Sequence, residues 1–428
     1  MPFELNGLSP KRIETPITLD ELSRIITSAA KENLAIIPWG GGTMQHLGNA
    51  PRRYDLALDL SRLNRVVEYA PDDLTITVEA GATIAAIQTE LAAHNQFLPL
   101  DPPVPAHATI GGTLAVNASG PLRLRYGTVR DFTLGMSVVN AEGKITKSGG
   151  KVVKNVAGYE MAKLNIGALG TLGIIAQATF KVYPKPKEEI TFVAAFKNTS
   201  DACKAIKALW NLTTPPMAIE LLDAKLARAV GIAKPVFPQA LEAKRSGVEK
   251  TGFWVTARFG GTQTVVDAAA RKAEALARDA NAASFEIISD AGLWQSIANL
   301  PATLRGAHSA LLRIGLPPSQ LNAALEKIVE RMQAIGIDSY ELFAHAATAI
   351  LYVAFDAEEE KVIEEIKHLR WALPHLEAHL VIEHAPRGVK EKVSVWGDPG
   401  AEHFIAQRLK EKFDPLWILN PGRFVGGL

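Results

Sequence analysis

Three glycine clusters constrain this chain more than any other feature. Gly40-Gly41-Gly42 leaves the short apolar run 34–38, Thr109-Ile110-Gly111-Gly112 opens a string of small residues ending at Asn117-Ala118-Ser119-Gly120, and Gly167-Ala168-Leu169-Gly170-Thr171-Leu172-Gly173 precedes the apolar run 174–182. A backbone without side chains lets several N–H groups converge on one anion, so the first cluster reads either as a phosphate-binding turn or as an ordinary strand exit. The second is too apolar for an exposed tip, and something flat and large could lie against it. The third stands before a strand rather than a helix. It is therefore neither the dinucleotide fingerprint nor a Walker loop, and the usual nicotinamide binding is disfavoured.

Around these clusters the pattern predicts an α+β chain in two main parts. Thr18-Leu19-Asp20-Glu21 has capping-box spacing and starts a helix over 18–32. Alternation predicts strands over 54–60 and 74–80, with a helix near 83–94 and strands over 136–140 and 174–182. The uncharged stretch 102–122 is long enough to span a bilayer, but it holds four prolines and three glycines and reads as a tight loop. Tyr183-Pro184-Lys185-Pro186-Lys187 reads as a linker. The expected domains are 1–185, 190–398 and a tail, 399–428.

Beyond the linker, strands over 190–196, 217–222, 252–259 and 284–288 alternate with helices over 200–212 and 262–280, and a comparable set follows from 308. Such units make an antiparallel sheet with helices on one face, in the manner of ferredoxin-like repeats. An amphipathic helix over 401–413 is stopped by Asp414-Pro415, and Asn420-Pro421-Gly422-Arg423 forms a terminal turn.

Composition removes several functions. With 428 residues and 47% apolar content the chain can bury at least two cores. Its 46 basic and 45 acidic residues create no field to attract nucleic acid or an anionic membrane. The single cysteine, Cys203, excludes a disulfide framework and cannot hold an iron–sulfur cluster, so an electron leaving this chain needs another cofactor. The N-terminus carries no signal-peptide pattern, which points to the cytoplasm. His368, His375, His379 and His384 read as surface or interface histidines rather than a metal pair, and Trp371, Trp396 and Trp417 as core or interface anchors.

The ordered set Pro38-Trp39-Gly40-Gly41-Gly42-Thr43, Asp101-Pro102, Thr109 to Gly112 with Asn117 to Gly120, Arg125-Tyr126-Gly127, and Gly170-Thr171-Leu172-Gly173-Ile174-Ile175 resembles the FAD domain of the vanillyl-alcohol oxidase/p-cresol methylhydroxylase superfamily. Val153-Lys154-Asn155-Val156-Ala157-Gly158-Tyr159-Glu160 and Asn420-Pro421-Gly422-Arg423 are similar to the FAD-binding subunits of bacterial glycolate oxidases. The resemblance covers about 10–185 and the tail. It implies that Gly40, Gly41, Gly42 and Thr43, with Gly111 and Gly112, hold the FAD pyrophosphate. Asn117, Ala118, Ser119, Gly120, Tyr126 and Gly127 would lie along the ribityl chain and isoalloxazine, Gly173, Ile174 and Ile175 would meet the adenine, and Asn420 would reach the flavin edge. Pro38, Trp39, Met44, Pro102, Thr109, Ile110 and Gly170 complete the implied cofactor-binding set.

Two departures shape the function that the resemblance implies. Thr43 stands where relatives with covalent FAD often carry histidine, which implies non-covalent FAD. The string His-x-Gly-x-Gly-Asn-x-x-His, carried by members that oxidise 2-hydroxy acids, does not occur, so no catalytic residue is assigned. The implied activity is oxidation of glycolate, a small 2-hydroxy acid, to glyoxylate by a complex. This chain is then a flavin relay or structural partner beside a paralogous catalytic flavin subunit and an iron–sulfur subunit, with any peripheral membrane association made through those partners. Two alternatives stand beside it: a free-standing FAD-dependent hydroxy-acid or sugar oxidase, and a scaffold with a vestigial flavin pocket.

Overall fold

The computed structural model describes residues 3–151, 160–232, 252–289, 291–337 and 339–428. Seven residues of the quoted string, 153–159, lie outside them. The chain divides into two compact units, one of 1–119, 127–185 and 390–428, the other of 120–126 and 186–389. The segment 390–398 thus belongs with the first unit, and 120–126 with the second.

In the first unit, helix α1 (Leu19–Lys31) begins as the capping box predicts: the Glu21 amide donates to Thr18 Oγ1 at 3.2 Å, and Glu21 Oε2 accepts from the Ile17 amide at 2.9 Å. Its buried residues Leu22, Ile26 and Ala29 pack on a parallel sheet ordered β1 (Arg12–Glu14), β3 (Leu56–Asp59), β2 (Ile36–Trp39). A second, antiparallel sheet runs β4 (Val66–Ala70), β5 (Thr75–Glu79), β9 (Ile174–Lys181), β7 (Thr133–Val139), β8 (Ile145–Gly149). Its inward side chains, among them Ile76, Val78, Met136, Ala178 and Phe180, form one core with α2 (Ile84–Ala92) and α3 (Ile110–Val116).

Helix α3 corrects the reading of 102–122 as a loop. Thr109 caps it, its Oγ1 accepting from the Gly112 amide at 3.3 Å, while Ile110 and Leu114 enter the core and Asn117 ends it in the left-handed conformation. Two adjacent glycines lower intrinsic helix propensity, and burial overrides them. Residues Tyr183–Pro184, expected in a linker, form the short strand β10 against β6 (Gln96–Phe97).

The tail is tied to this unit by a buried ammonium. Lys410, on helix His403–Phe413, is 1% exposed and donates to Asp414 Oδ2 at 2.6 Å, Leu419 O at 2.8 Å and Thr171 O at 2.9 Å. Asp414 accepts in turn from the amides of Ile418 and Leu419. Leu419 then lies parallel beside Ile36 of β2, with the Ile36 amide donating to Ile418 O and the Asn420 amide to Ile36 O.

The second unit is an eight-stranded, wholly antiparallel sheet ordered β14 (Ser284–Ile288), β11 (Glu188–Phe196), β13 (Phe253–Gly261), β12 (Ala218–Asp223), β16 (Tyr340–His345), β17 (Ile350–Phe355), β15 (Ala310–Gly315), β18 (His379–His384). The expected antiparallel sheet and its helices are present, and helices cover both faces rather than one. Arg278 of the helix Gln263–Asp279 lies over Phe285, which stacks with Phe192. On the opposite face Trp294, from the helix Ala291–Ala307, donates to Thr191 Oγ1 at 2.7 Å and packs with Val193, Ala195 and Trp254. His379 opens β18, whereas Trp371 is 73% exposed and no core anchor. Among the described residues no helix is long and apolar enough to cross a membrane.

Replacing Lys410 by Met leaves Asp414 as a buried charge without its cation and two carbonyls without their donor. Lys410→Met is expected to cost about 3–5 kcal/mol of unfolding free energy in urea, the range for breaking a buried pair. A loss below about 1 kcal/mol, the worth of an exposed pair, would mean that other contacts hold the tail.

Candidate functional site

The first unit holds a half-open cavity, about 740 Å³ when the solvent space at its mouth is included, where several chain segments end together. One wall is the turn after β2, Pro38 to Gln45. Leu60 and Ala80, just beyond β3 and β5, form the floor with Thr109, Gly111, Gly112, Ala115 and Val116 of the capped helix α3. Leu169, Gly170, Ile174 and Ile175 contribute from the third glycine cluster, and Asn420 and Arg423 from the tail.

Close approach of backbones explains most of the glycines. A Cβ on Gly41 would run into the carbonyl of His107, one on Gly40 into the Thr109 side chain, and one on Gly111 would stand 2.7 Å from Ala80 Cβ. The Gly111 amide donates to Ala80 O at 2.7 Å, which pins the start of α3 to the end of β5. Gly112 differs: a Cβ there meets only Thr109 Oγ1, at 3.3 Å, and otherwise open cavity.

Side chains then fix the glycine turn. Gln45 Nε2 donates back to Pro38 O at 2.6 Å, closing the turn, and Trp39 Nε1 donates to Tyr54 Oη at 2.7 Å. Burial pushes the Tyr54 phenol up to about 12, so it is neutral at physiological pH. From the tail, Asn420 Nδ2 donates to Leu169 O at 2.6 Å, Arg423 Nη1 to Gln45 Oε1 at 3.2 Å, and Arg423 Nη2 to Gln45 O at 2.8 Å and to Leu47 O. Asn420 Oδ1 and Arg423 Nε are buried in this wall without a protein partner.

Of the residues expected from sequence, the cavity collects Pro38, Trp39, Gly40, Gly41, Gly42, Thr43, Met44, Thr109, Gly111, Gly112, Gly170, Ile174, Ile175 and Asn420. Others lie elsewhere. The Ile110 side chain points into the core, Pro102 is buried outside the wall, and a Cβ on Gly173 would strike Val138, so that glycine serves strand packing. Asn117 caps α3, and Asn117 Oδ1 and Ser119 Oγ are buried without a partner, though neither they nor Ala118 line the cavity. Gly127 makes the turn into the capping box Thr128–Asp131. Gly120 and Tyr126 belong to the second unit, where Tyr126 Oη meets Met217 Sδ at 3.6 Å. Gln45, Leu60, Ala80, Ala115, Val116, Leu169 and Arg423 line the cavity without having been expected there.

The second unit holds a separate buried polar cluster, also unforeseen. His345 Nδ1 lies 2.9 and 3.0 Å from the two carboxylate oxygens of Glu220, both residues being buried. Tyr352 stacks on Phe343, meets the His345 ring edge-on, and is pushed up to about 12 by burial. Arg313 pairs with Glu383 at 3.3 Å.

Two family models match the chain: the FAD binding domain over residues 10–149, and the C-terminal domain of FAD linked oxidases over 185–384. It is 28% identical to glycolate oxidase subunit GlcD of Bacillus subtilis (strain 168), across 97% of this chain and 88% of that protein. It is 26% identical to the mitochondrial D-lactate dehydrogenase [cytochrome] of Arabidopsis thaliana and 25% to a D-2-hydroxyglutarate dehydrogenase of Xanthomonas citri pv. viticola, each across 97% of this chain and 73% and 89% of those proteins. Among solved structures, an alkyldihydroxyacetonephosphate synthase superposes with a TM-score of 0.71 over 96% of this chain and 77% of that one, at 20% identity, which establishes a shared fold.

The cofactor is FAD, and the cavity suits it. Its lining includes the glycine turn, its apolar sides are Leu60, Val116, Ile174 and Ile175, and two buried polar atoms without a partner, Asn420 Oδ1 and Arg423 Nε, belong to residues of its wall. Gly112→Val is expected to lower FAD affinity at least about tenfold, or about 1.4 kcal/mol, while leaving the apoprotein folded, because the new side chain fills cavity rather than protein. Gly41→Val should instead destabilise the apoprotein itself, since a side chain there meets the His107 backbone. Flavin titration and thermal unfolding of both variants check this contrast; equal FAD affinity in Gly112→Val would remove α3 from the site.

Proposed function

The chain belongs to the FAD-linked oxidases, FAD-dependent oxidoreductases of the vanillyl-alcohol oxidase/p-cresol methylhydroxylase type, and from that premise we propose that it is the FAD-binding subunit of a glycolate-oxidising complex. The observation that carries the reading is the FAD cavity in a chain similar to a glycolate oxidase subunit over nearly its whole length. Glycolate loses two electrons and two protons to become glyoxylate, and FAD, when bound, supplies the two-electron acceptor. This chain's residues hold the cofactor: the turn Gly40 to Thr43 takes its phosphates, the apolar sides keep water from its ring, and Asn420 reaches the ring edge. No His, Cys or Tyr side chain lines the cavity wall among the described residues, which supports non-covalent attachment.

With one cysteine and no His-x-Gly-x-Gly-Asn-x-x-His string, the chain works beside a paralogous catalytic flavin subunit and an iron–sulfur subunit that takes the electrons onward. The complex is cytoplasmic, and any membrane contact is made through the partners. A second reading, oxidation of a 2-hydroxy acid by this chain alone, is favoured by the buried Glu220–His345 pair, since a carboxylate on one ring nitrogen orients an imidazole as a base.

Acid precipitation of the purified protein should release its yellow colour into the supernatant; flavin kept in the pellet would overturn non-covalent attachment. Dye reduction should depend on glycolate and on co-purified partner subunits. Robust turnover by the isolated polypeptide, lost in His345→Ala, would replace the relay with the second reading, and preference for D-lactate or D-2-hydroxyglutarate would move the substrate.

A further inference from the structure

Arg423 is a buried charge to which the described residues of the first unit give no counter-ion. Its side chain is among the largest that are fully buried, at 2% exposure, and its nearest partners are uncharged: Gln45 Oε1, Gln45 O and Leu47 O. Among the described residues no carboxylate pairs with it, and its Nε has no partner at all. The same tail treats its other buried cation differently, giving Lys410 the carboxylate of Asp414. Burial lowers Arg423 to about 10, which still leaves it protonated at neutral pH. A buried cation without a counter-ion costs several kcal/mol, and a fold that keeps one has its counter-charge arriving from outside the chain.

Where that anion sits follows from what Arg423 grips. Both Gln45 contacts and the Leu47 contact bind it to the far end of the glycine turn, whose residues line the same cavity, and Arg423 itself stands in the cavity wall. Of the parts of FAD, only the diphosphate carries full negative charge in the oxidised cofactor. We propose that Arg423 supplies the positive charge of the diphosphate site, completing a nest otherwise built from backbone N–H groups of Gly40 to Thr43. This rests on the assignment of the cavity to FAD, and it makes the C-terminal turn a phosphate-binding element.

The test uses full-length apoprotein and three probes: FAD, ADP and riboflavin. Arg423→Gln should weaken FAD and ADP by about 10- to 100-fold each, as expected for loss of a charge-assisted contact, and leave riboflavin unchanged. Arg423→Lys should recover much of the loss. The wild-type FAD affinity should fall with added salt more steeply than that of Arg423→Gln. Unchanged FAD and ADP affinities in the folded variant overturn the proposal, and so does an equal loss for riboflavin, which would put the charge at the ring. Should Arg423→Gln not fold, the wild-type apoprotein still decides: millimolar pyrophosphate should raise its Tm, and no rise overturns the assignment. A wild-type protein that binds FAD but not glycolate-dependent partners would sink the proposed function and leave this inference standing.

Discussion

One buried ammonium anchors the tail that closes the cofactor cavity. Its walls come from stretches near residues 40, 112, 170 and 420, and the last of these is anchored to the others by Lys410, which bonds at once to Asp414, Leu419 O and Thr171 O. Desolvating a lysine is costly, and this one is held by a carboxylate and two carbonyls, which use its three donors fully. The helix that carries Lys410 is thus fixed to the third glycine cluster on one side and to the returning tail on the other. From that anchor Leu419 runs beside Ile36, and Asn420 and Arg423 are delivered into the wall.

The parts of this site that were legible in sequence are those where local chemistry and tertiary role coincide. A glycine turn after an apolar run is both a sequence pattern and a backbone approach, so Gly40 and Gly41 could be found from either end. Gly173 shows the limit of that logic, because it too is a glycine forced by crowding, but the crowding is Val138 of the neighbouring strand. Gln45 gave no local signal, and Leu169 and Arg423 stood inside quoted strings without being singled out. Their place in the wall is set by hydrogen bonds across hundreds of residues, such as Asn420 Nδ2 to Leu169 O.

The same division runs through the fold. β5 announced itself by Ile76 and Val78 alternating with Thr75, Thr77 and Glu79, although Thr75 and Glu79 are buried as well, whereas β16 has five buried residues in succession after Tyr340, so burial there follows no period of two. The helix Ala291–Ala307 was hidden by Pro301 inside it and by the glycines at 292 and 306. Without that helix the sheet of the second unit reads as covered on one side, and its other face as wet, although Trp254, Phe343 and Tyr352 are buried there.

Both units pair buried charges within the chain, and one exception in the first bears on where an anion can bind. In the second unit Glu220 faces His345, Glu383 faces Arg313 and Glu365 faces Arg331, so these buried acids each have a basic partner supplied by the chain. In the first unit Lys410 is matched by Asp414 and Glu79 by Arg65, while Arg423 faces only neutral oxygens. An ion pair already closed gains little from an incoming anion, because the ligand must displace the resident carboxylate before its own attraction counts. A lone guanidinium beside the glycine turn carries no such penalty, so the electrostatic gain on binding a diphosphate is concentrated in the first unit, at the end of the tail that Lys410 holds.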